Sequence, residues 1–317
     1  MTAILGGLVL ILFLCSKIVA TAYSKGGENT KNIVSSFFPD EKNNADKRQF
    51  EIWALKYTVV WIGAFGYIIL SDPGSGDNKN MWNFRNFDAN MYMKVCVSLS
   101  LPYLLQPIVS PVSAEKHLPL YQRYSFKANV WIAIFSFIGN YWYTHYFYGV
   151  LGATYTFPAK RLNDVPICLY FATHFYFVTY HTAANMILRK IETTYVPNAG
   201  RKIFTWIAIL AFSYFTAFME TLTISGFDKY CFKVPIHDIY VKGSAFYGIY
   251  FIVSYPVFYN VDEKAGSPKH SLYQVVMESM GAGMLVLLLL DFCRLYMGKD
   301  FNAIKGEHAF YDYRGPQ

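Results

Sequence analysis

Four titratable side chains sit inside stretches that are otherwise apolar: His145, His174, His181 and Glu220. Glu220 is the only formal charge in IFTWIAILAFSYFTAFMETLTIS, residues 203–225. An isolated ionised carboxylate costs too much in hydrocarbon, so such a group is protonated, paired or set in a wet cavity. A carboxylic acid kept neutral by burial is what general-acid chemistry requires. The competing reading places Glu220, which precedes Asp228 by two helical turns, near the membrane interface with an ordinary partner. On a helix, where each residue turns the chain by about 100°, His174, His181 and Asn185 share one face. Ser213, Thr216, Glu220 and Thr223 share another, and Asn140 and Thr144 a third, with His145 one step round. Three consecutive helices would each present a polar stripe, which is the expected lining of an intramembrane site. Against this, a single intramembrane His or Asn commonly serves as a helix–helix hydrogen-bond partner worth only about 0.6–2 kcal/mol.

The surrounding chain sets the medium for that chemistry. Of 317 residues, 54% are hydrophobic and 15% charged, whereas soluble domains carry about 25% charge. The apolar residues lie in long blocks, so the expected fold class is all-α: a polytopic membrane protein, a bundle of about eight transmembrane helices (seven to eight). The net charge of +7 is spread through short loops, which argues against a nucleic-acid surface. Five cysteines, Cys15, Cys96, Cys168, Cys231 and Cys293, form no C-x-x-C pair, so neither a disulfide framework nor a zinc site is indicated. There is no H-x-x-x-H, no H-E-x-x-H and no Gly-rich nucleotide loop. No metal and no cofactor is therefore expected. A transporter stays open, because proline-broken helices and buried polar groups are its signature too.

The positioning elements run in order along the chain. Residues 1–22 are an apolar anchor or a signal segment, and the Ala-Thr-Ala before Tyr23 resembles a cleavage site. Residues 23–46 read as a polar linker, 47–298 as the transmembrane domain and 299–317 as a polar tail. Spans are expected at 51–70, 95–114, within 127–166, and at 165–188, 203–225, 242–262 and 272–296, with a turn-rich loop at 71–91. Pro102, Pro107 and Pro111 must kink the third span and free carbonyls that protein or a cavity has to satisfy. Gly281 and Gly283 allow close helix approach in the last span, and Asp291 and Arg294 there are spaced for an intrahelical ion pair. The segment 127–166 carries no charge from Ala128 to Ala159, yet it holds Asn129, Asn140, Thr144 and His145 among Tyr141, Trp142, Tyr143, Tyr146 and Tyr148. Rings beside such a site could stabilise a cation through their π faces.

The segment KANVWIAIFSFIGNYWYTHYFYGVLGATYTFPAKRLNDVP (127–166) closely resembles the signature region of the cycloeucalenol cycloisomerase (cyclopropylsterol isomerase) family. The likeness continues through HFYFVTYHTAANMILRK (174–190), AFSYFTAFMETLTISGF (211–227), FYGIYFIVSYPVFYNVDEK (246–264) and GAGMLVLLLLDFCRLYMG (281–298), beginning near KRQFEIW (47–53). The first span, the linker and the 71–91 loop depart from the family pattern. The resemblance implies opening of a 9β,19-cyclopropyl sterol, cycloeucalenol, to the Δ8 sterol obtusifoliol. C19 would be protonated and the cationic C9 relieved by loss of the C8 proton, with no redox cofactor. On that reading Glu220 or a protonated His gives the proton, and another of His145, His174 and His181 accepts one. Asn140, Trp142, Tyr143, Thr144, Tyr146, Asn185 and Thr223 would contact substrate. The short stretch MET-L-T (219–223) is also similar to sterol Δ8–Δ7 isomerases of the emopamil-binding type, where it points to Glu220 and Thr223. The expected partners are a sterol and membrane lipid, and the expected location is the membrane of the endoplasmic reticulum. The competing functions are a Δ8–Δ7 double-bond isomerase and a non-catalytic sterol-binding or transport protein.

Overall fold

The computed structural model describes residues 2–24, 35–70, 84–224, 227–298 and 310–313. Parts of the expected linker (25–34), of the 71–91 loop (71–83) and of the C-terminal tail (299–309 and 314–317) lie outside the described residues.

Long helices dominate: α1 (Thr2–Ser24), α2 (Ala45–Leu70), α3 (Ala89–Val109) and α4 (Tyr124–Ile138). The α4 axis continues through a π-helical turn (Gly139–Tyr143), the single turn α5 (Thr144–Tyr146) and a second π-helical turn (Phe147–Leu151). Strands β1 (Thr154–Tyr155), β2 (Ala159–Leu162) and β3 (Val165–Pro166) lead into α6 (Ile167–Thr194) and α7 (Ala199–Ile224). Strand β4 (Tyr230–Cys231), the short α8 (Ile236–Asp238) and another π-helical turn (Ile239–Gly243) precede α9 (Ser244–Asn260) and α10 (Leu272–Tyr296), and β5 (Phe310–Tyr313) comes last. Each expected span overlaps a helix. Four helices, Ala45–Leu70, Ala89–Val109, Ala199–Thr223 and Leu272–Tyr296, are long and apolar enough to cross a membrane. Helix α6 is long but more polar, and the reason is its place: it packs on α2, α3, α4, α7 and α9. Its polar residues therefore meet protein rather than lipid.

The fold is helical as expected, with a few short strands, and one expectation is corrected: the 127–166 run is not one helix. Helical structure ends at Leu151 because Gly152 turns left-handed, φ 60°, and a Cβ there would lie 2.7 Å from Lys233 Cβ. The chain then forms the β2–β3 hairpin across Asn163 and Asp164, at φ 51° and 62°. Two central residues with positive φ make the tight turn that suits strand twist, and Asn and Asp tolerate it best. Strand β5, from the expected polar tail, pairs with β2, Ala159 facing Tyr313. Separately, β1 pairs with β4, Tyr155 opposite Tyr230.

Pro111 falls beyond the end of α3 at Val109, so only two of the three expected prolines act within the helix. Pro102 and Pro107 lie inside α3, and the carbonyls around them find protein donors. Tyr57 donates to the Leu99 carbonyl at 2.8 Å, and Arg123 donates to that of Pro107. At one end of the bundle a charged cluster joins α2, α6 and the α9–α10 loop. Arg189 bridges Glu51 and Glu263 (2.8 and 2.6 Å), and Lys47 reaches Glu263 at 2.8 Å. Beside it Lys127 pairs with Asp262. Asp262 and Glu263, which follow the end of α9, are thus built into the interior. On α10 the Asp291–Arg294 pair forms as spaced, 2.8 Å apart.

Candidate active site

A small cavity of about 80 Å³ lies where the α4–α5 axis, α6, α7 and α9 meet. The π-helical turns shape one wall. Each widens the helix by a residue and shifts the register of the next turn, so Asn140, Thr144 and Phe147 face the space while His145 does not. Helix α6 supplies Thr173 and Phe177, α7 supplies Glu220 and Thr221, and α9 supplies Tyr247 and Tyr250. The β1–β4 pair closes one end with Tyr155 and Tyr230, stacked at 4.5 Å between centroids and 12° between planes.

Glu220 is the carboxyl of this cavity. Its Oε2 accepts a hydrogen bond from the Tyr247 hydroxyl at 2.9 Å, and Tyr180 lies beside the same group. Among the described residues that line the space there is no lysine or arginine. Tyr247 is held edge-on against Tyr250 (4.7 Å) and Phe147 (5.4 Å), so its hydroxyl has a fixed aim. Opposite, the Asn140 amide donates to Ser136 O at 2.9 Å and Thr173 Oγ1 at 2.7 Å. Thr173 in turn donates to Leu169 O. Both amide hydrogens are thereby used, and the Asn140 carbonyl oxygen remains for a ligand.

The three histidines sit elsewhere. His181 is fully buried, with Nδ1 on Phe177 O (2.8 Å) and Nε2 on Ser254 Oγ (2.9 Å), inside a cage that includes Trp131, Phe135, Tyr255 and Phe258. His174 Nε2 meets Asn129 Oδ1 at 2.9 Å, linking α6 to α4. His145 Nε2 donates to Asn163 O at 3.0 Å and pins the hairpin turn, while its Nδ1 is buried with no partner. None of the three lines the cavity.

Of the expected substrate contacts, Asn140 and Thr144 line the space. Tyr143 is buried and donates to Gly283 O at 2.8 Å, packing behind Tyr250 at 4.6 Å. Trp142 is 47% exposed and points outward. Tyr146 lies beside Asp291 and Arg294 of α10. Asn185 belongs to the charged cluster, donating to Glu51 at 2.8 Å. Thr223 is exposed and donates to the Glu220 carbonyl at 2.8 Å, and its neighbour Thr221 lines the cavity instead. Sequence reasoning missed Thr173 and the whole α9 wall. Gly243, Tyr247 and Tyr250 do carry a signal, since they recur at helical spacing on one face. Tyr155 and Tyr230 carry none, because only strand pairing brings them together.

Among the described residues no group of three or more His, Cys, Asp or Glu is placed to hold a metal. What remains is one carboxyl, its phenol donor, an amide oxygen and a ring of aromatics. That is equipment for moving a proton on an apolar molecule, with π faces to steady a developing cation.

The class so defined is a mostly helical protein with four helices able to cross a membrane and a carboxyl inside an aromatic cavity. Cycloeucalenol cycloisomerase of Arabidopsis thaliana is 37% identical over 268 residues, 84% of this chain and 92% of that protein. The chain belongs to the cycloeucalenol cycloisomerase family and is an isomerase. No family model matches it, and no solved structure does.

Proposed function

We propose that the protein opens the 9β,19-cyclopropane ring of a cyclopropyl sterol, converting cycloeucalenol to obtusifoliol, with Glu220 as the proton donor. The Glu220 carboxyl transfers its proton to C19 as the C9–C19 bond electrons form the new C–H bond. C19 becomes the angular methyl group and C9 is left cationic. Loss of the C8 proton returns that bond pair as the C8=C9 double bond, so the sequence of steps is redox neutral. The aromatic walls, Tyr247, Tyr250 and Phe147 foremost, face the cation with ring electrons rather than with a nucleophile. Asn140 and Thr144 are the contacts that orient the sterol. Protonating a carbon–carbon bond needs an acid in a dry site, and an ionised Glu220 would have no counter-ion among the lining residues. The observation that carries the reading is this carboxyl, set among aromatic rings in a small cavity with a phenol on one of its oxygens.

The long helices are read as a multi-pass bundle in the endoplasmic reticulum membrane, taking its apolar substrate from the surrounding lipid. The test is Glu220→Gln, assayed in isolated membranes with cycloeucalenol as sole substrate and products identified by mass spectrometry. Loss of a general acid predicts a fall of about 10²- to 10⁴-fold. Activity near wild type at equal protein level refutes the assignment. Binding of sterol without any turnover by the wild type would favour a transport protein, and conversion of a Δ8 sterol but not of cycloeucalenol a double-bond isomerase.

A further inference from the structure

We propose that Glu220 is the sole acid–base group of the reaction: the carboxyl that protonates C19 becomes the carboxylate that removes the C8 proton. This rests on the reading of Glu220 as donor and adds the identity of the base. Ring opening by protonation needs a second group only if the first cannot serve twice, and the cavity offers no second one. Among the described residues that line it there is no imidazole and no carboxyl besides Glu220. His181 has both ring nitrogens engaged, His174 is tied to Asn129, and His145 is tied to the hairpin turn. Tyr247 is already donating its hydroxyl proton to Glu220, which suits a donor and not a base. Asn140 and Thr144 have no basic site of useful strength.

The chemistry fits one carboxyl well. C19 and C8 are both bonded to C9, so they lie about 2.5 Å apart across two ordinary carbon–carbon bonds. That is close to the separation of the two oxygens of one carboxyl group. Tyr247 holds Oε2 as an acceptor, with Tyr180 beside the same carboxyl, and the acidic proton of Glu220 is the one delivered to C19. Once that proton has gone to C19, the carboxylate is the anion nearest the C9 cation and lies within reach of the adjacent C8 hydrogen. The C8–H bond pair becomes the C8=C9 double bond, the proton returns to Glu220, and the acid is restored for the next turnover without a proton relay. The two transfers must then occur on the same face of the sterol.

The test is the pH dependence of kcat/KM of the wild-type protein in its membranes. Glu220 is faced by tyrosines from each element packed around it: Tyr176 and Tyr180 of α6, Tyr155 of β1, Tyr230 of β4, and Tyr247 and Tyr250 of α9. None of these is a cation or a second carboxyl. A single group that must start protonated predicts one limb, a fall of about tenfold per unit on the alkaline side with a plateau on the acid side. A separate base must start deprotonated and adds an acid limb. An acid limb above about pH 5 that reverses on return to neutrality overturns the proposal, and a plateau there supports it. Glu220→Gln separates the two ideas. If that variant is active, the donor assignment fails; if it is inactive while the wild type shows an acid limb, only the single-group proposal fails.

Discussion

Replacing Tyr247 by Phe removes one oxygen from the cavity and leaves the ring packed on Phe147 and Tyr250. In the resting site the hydroxyl donates to a neutral carboxyl, a bond worth about 0.5–1.5 kcal/mol net, and in the transition state to a developing carboxylate, worth about 1.5–3 kcal/mol. The difference, about 1–1.5 kcal/mol, is what the hydroxyl contributes to the barrier, which converts to a fall of about 5- to 13-fold in kcat. KM should stay within about twofold, because only an interaction that strengthens in the transition state has been lost. The assay is cycloeucalenol conversion over a range of concentrations in membranes holding equal amounts of variant and wild type. Tyr255→Phe is the control. Its hydroxyl donates to Thr216 one turn before Glu220, outside the cavity lining, so its loss should cost about 1 kcal/mol of stability and leave kcat unchanged. A Tyr247→Phe enzyme with unchanged kcat, or with the whole effect in KM, would refute the argument that this phenol stabilises the conjugate base.

Other perturbations test the scaffold. A Cβ on Gly283 would lie 2.8 Å from Ile138 Cδ1 and 3.1 Å from the Tyr143 hydroxyl, whereas one on Gly281 meets nothing within 4 Å. Gly283→Ala should therefore cost about 1–3 kcal/mol by overpacking while Gly281→Ala is neutral, read as thermal unfolding in detergent. Arg189→Met strands Glu51 and Glu263 in the interior and should cost about 3–5 kcal/mol in the same assay, with the kcat of the surviving folded fraction retained. Burial on its own raises the Asp262 and Glu263 carboxyls, but the Lys127 hydrogen bond and charge, and those of Lys47 and Arg189, outweigh it and hold both below their usual range. Groups lowered in the folded state add stability that is complete above about pH 5 and lost as the pH falls through their folded values. Thermal stability should thus be flat from neutrality down to about pH 5 and decline below it, and a steady decline starting at neutral pH would contradict that origin.

The helices were legible because lipid leaves the backbone no alternative. A long uncharged run must be helical, and the boundaries inferred from charge differ from the observed ones mainly by the extra turns at polar ends, as at Ala45 on α2 and Thr194 on α6. The 127–166 run shows where this logic stops. Absence of charge implies tolerance of hydrocarbon, not continuity of a helix. Gly152 and the Asn163–Asp164 pair held the local signal for a break, but that signal was outweighed by the length of the apolar run. Pairing of β2 with β5 and of β1 with β4 depends on segments far apart in the chain, and nothing within either segment announces its partner.

The candidate site was legible in the same uneven way, and for an electrostatic reason. Counting costly polar groups correctly singled out those that need an explanation, but burial cost does not say what the explanation is. His181 and Glu220 are both expensive in hydrocarbon. His181 settles the cost by bonding at both nitrogens within the bundle, so it has no capacity left for a ligand. Glu220 has a phenol on one oxygen and open space before it, so part of its hydrogen-bonding capacity is still unspent. Asn185 donates to Glu51 and has an unpartnered Oδ1 buried away from the cavity, whereas Asn140 has both amide hydrogens anchored and lines the cavity. Unspent capacity facing a cavity therefore separates candidate ligand-facing groups from structural polar groups better than burial does. It becomes visible only when the partners on other helices are in place, because satisfaction is a property of pairs and a helical wheel displays one partner at a time.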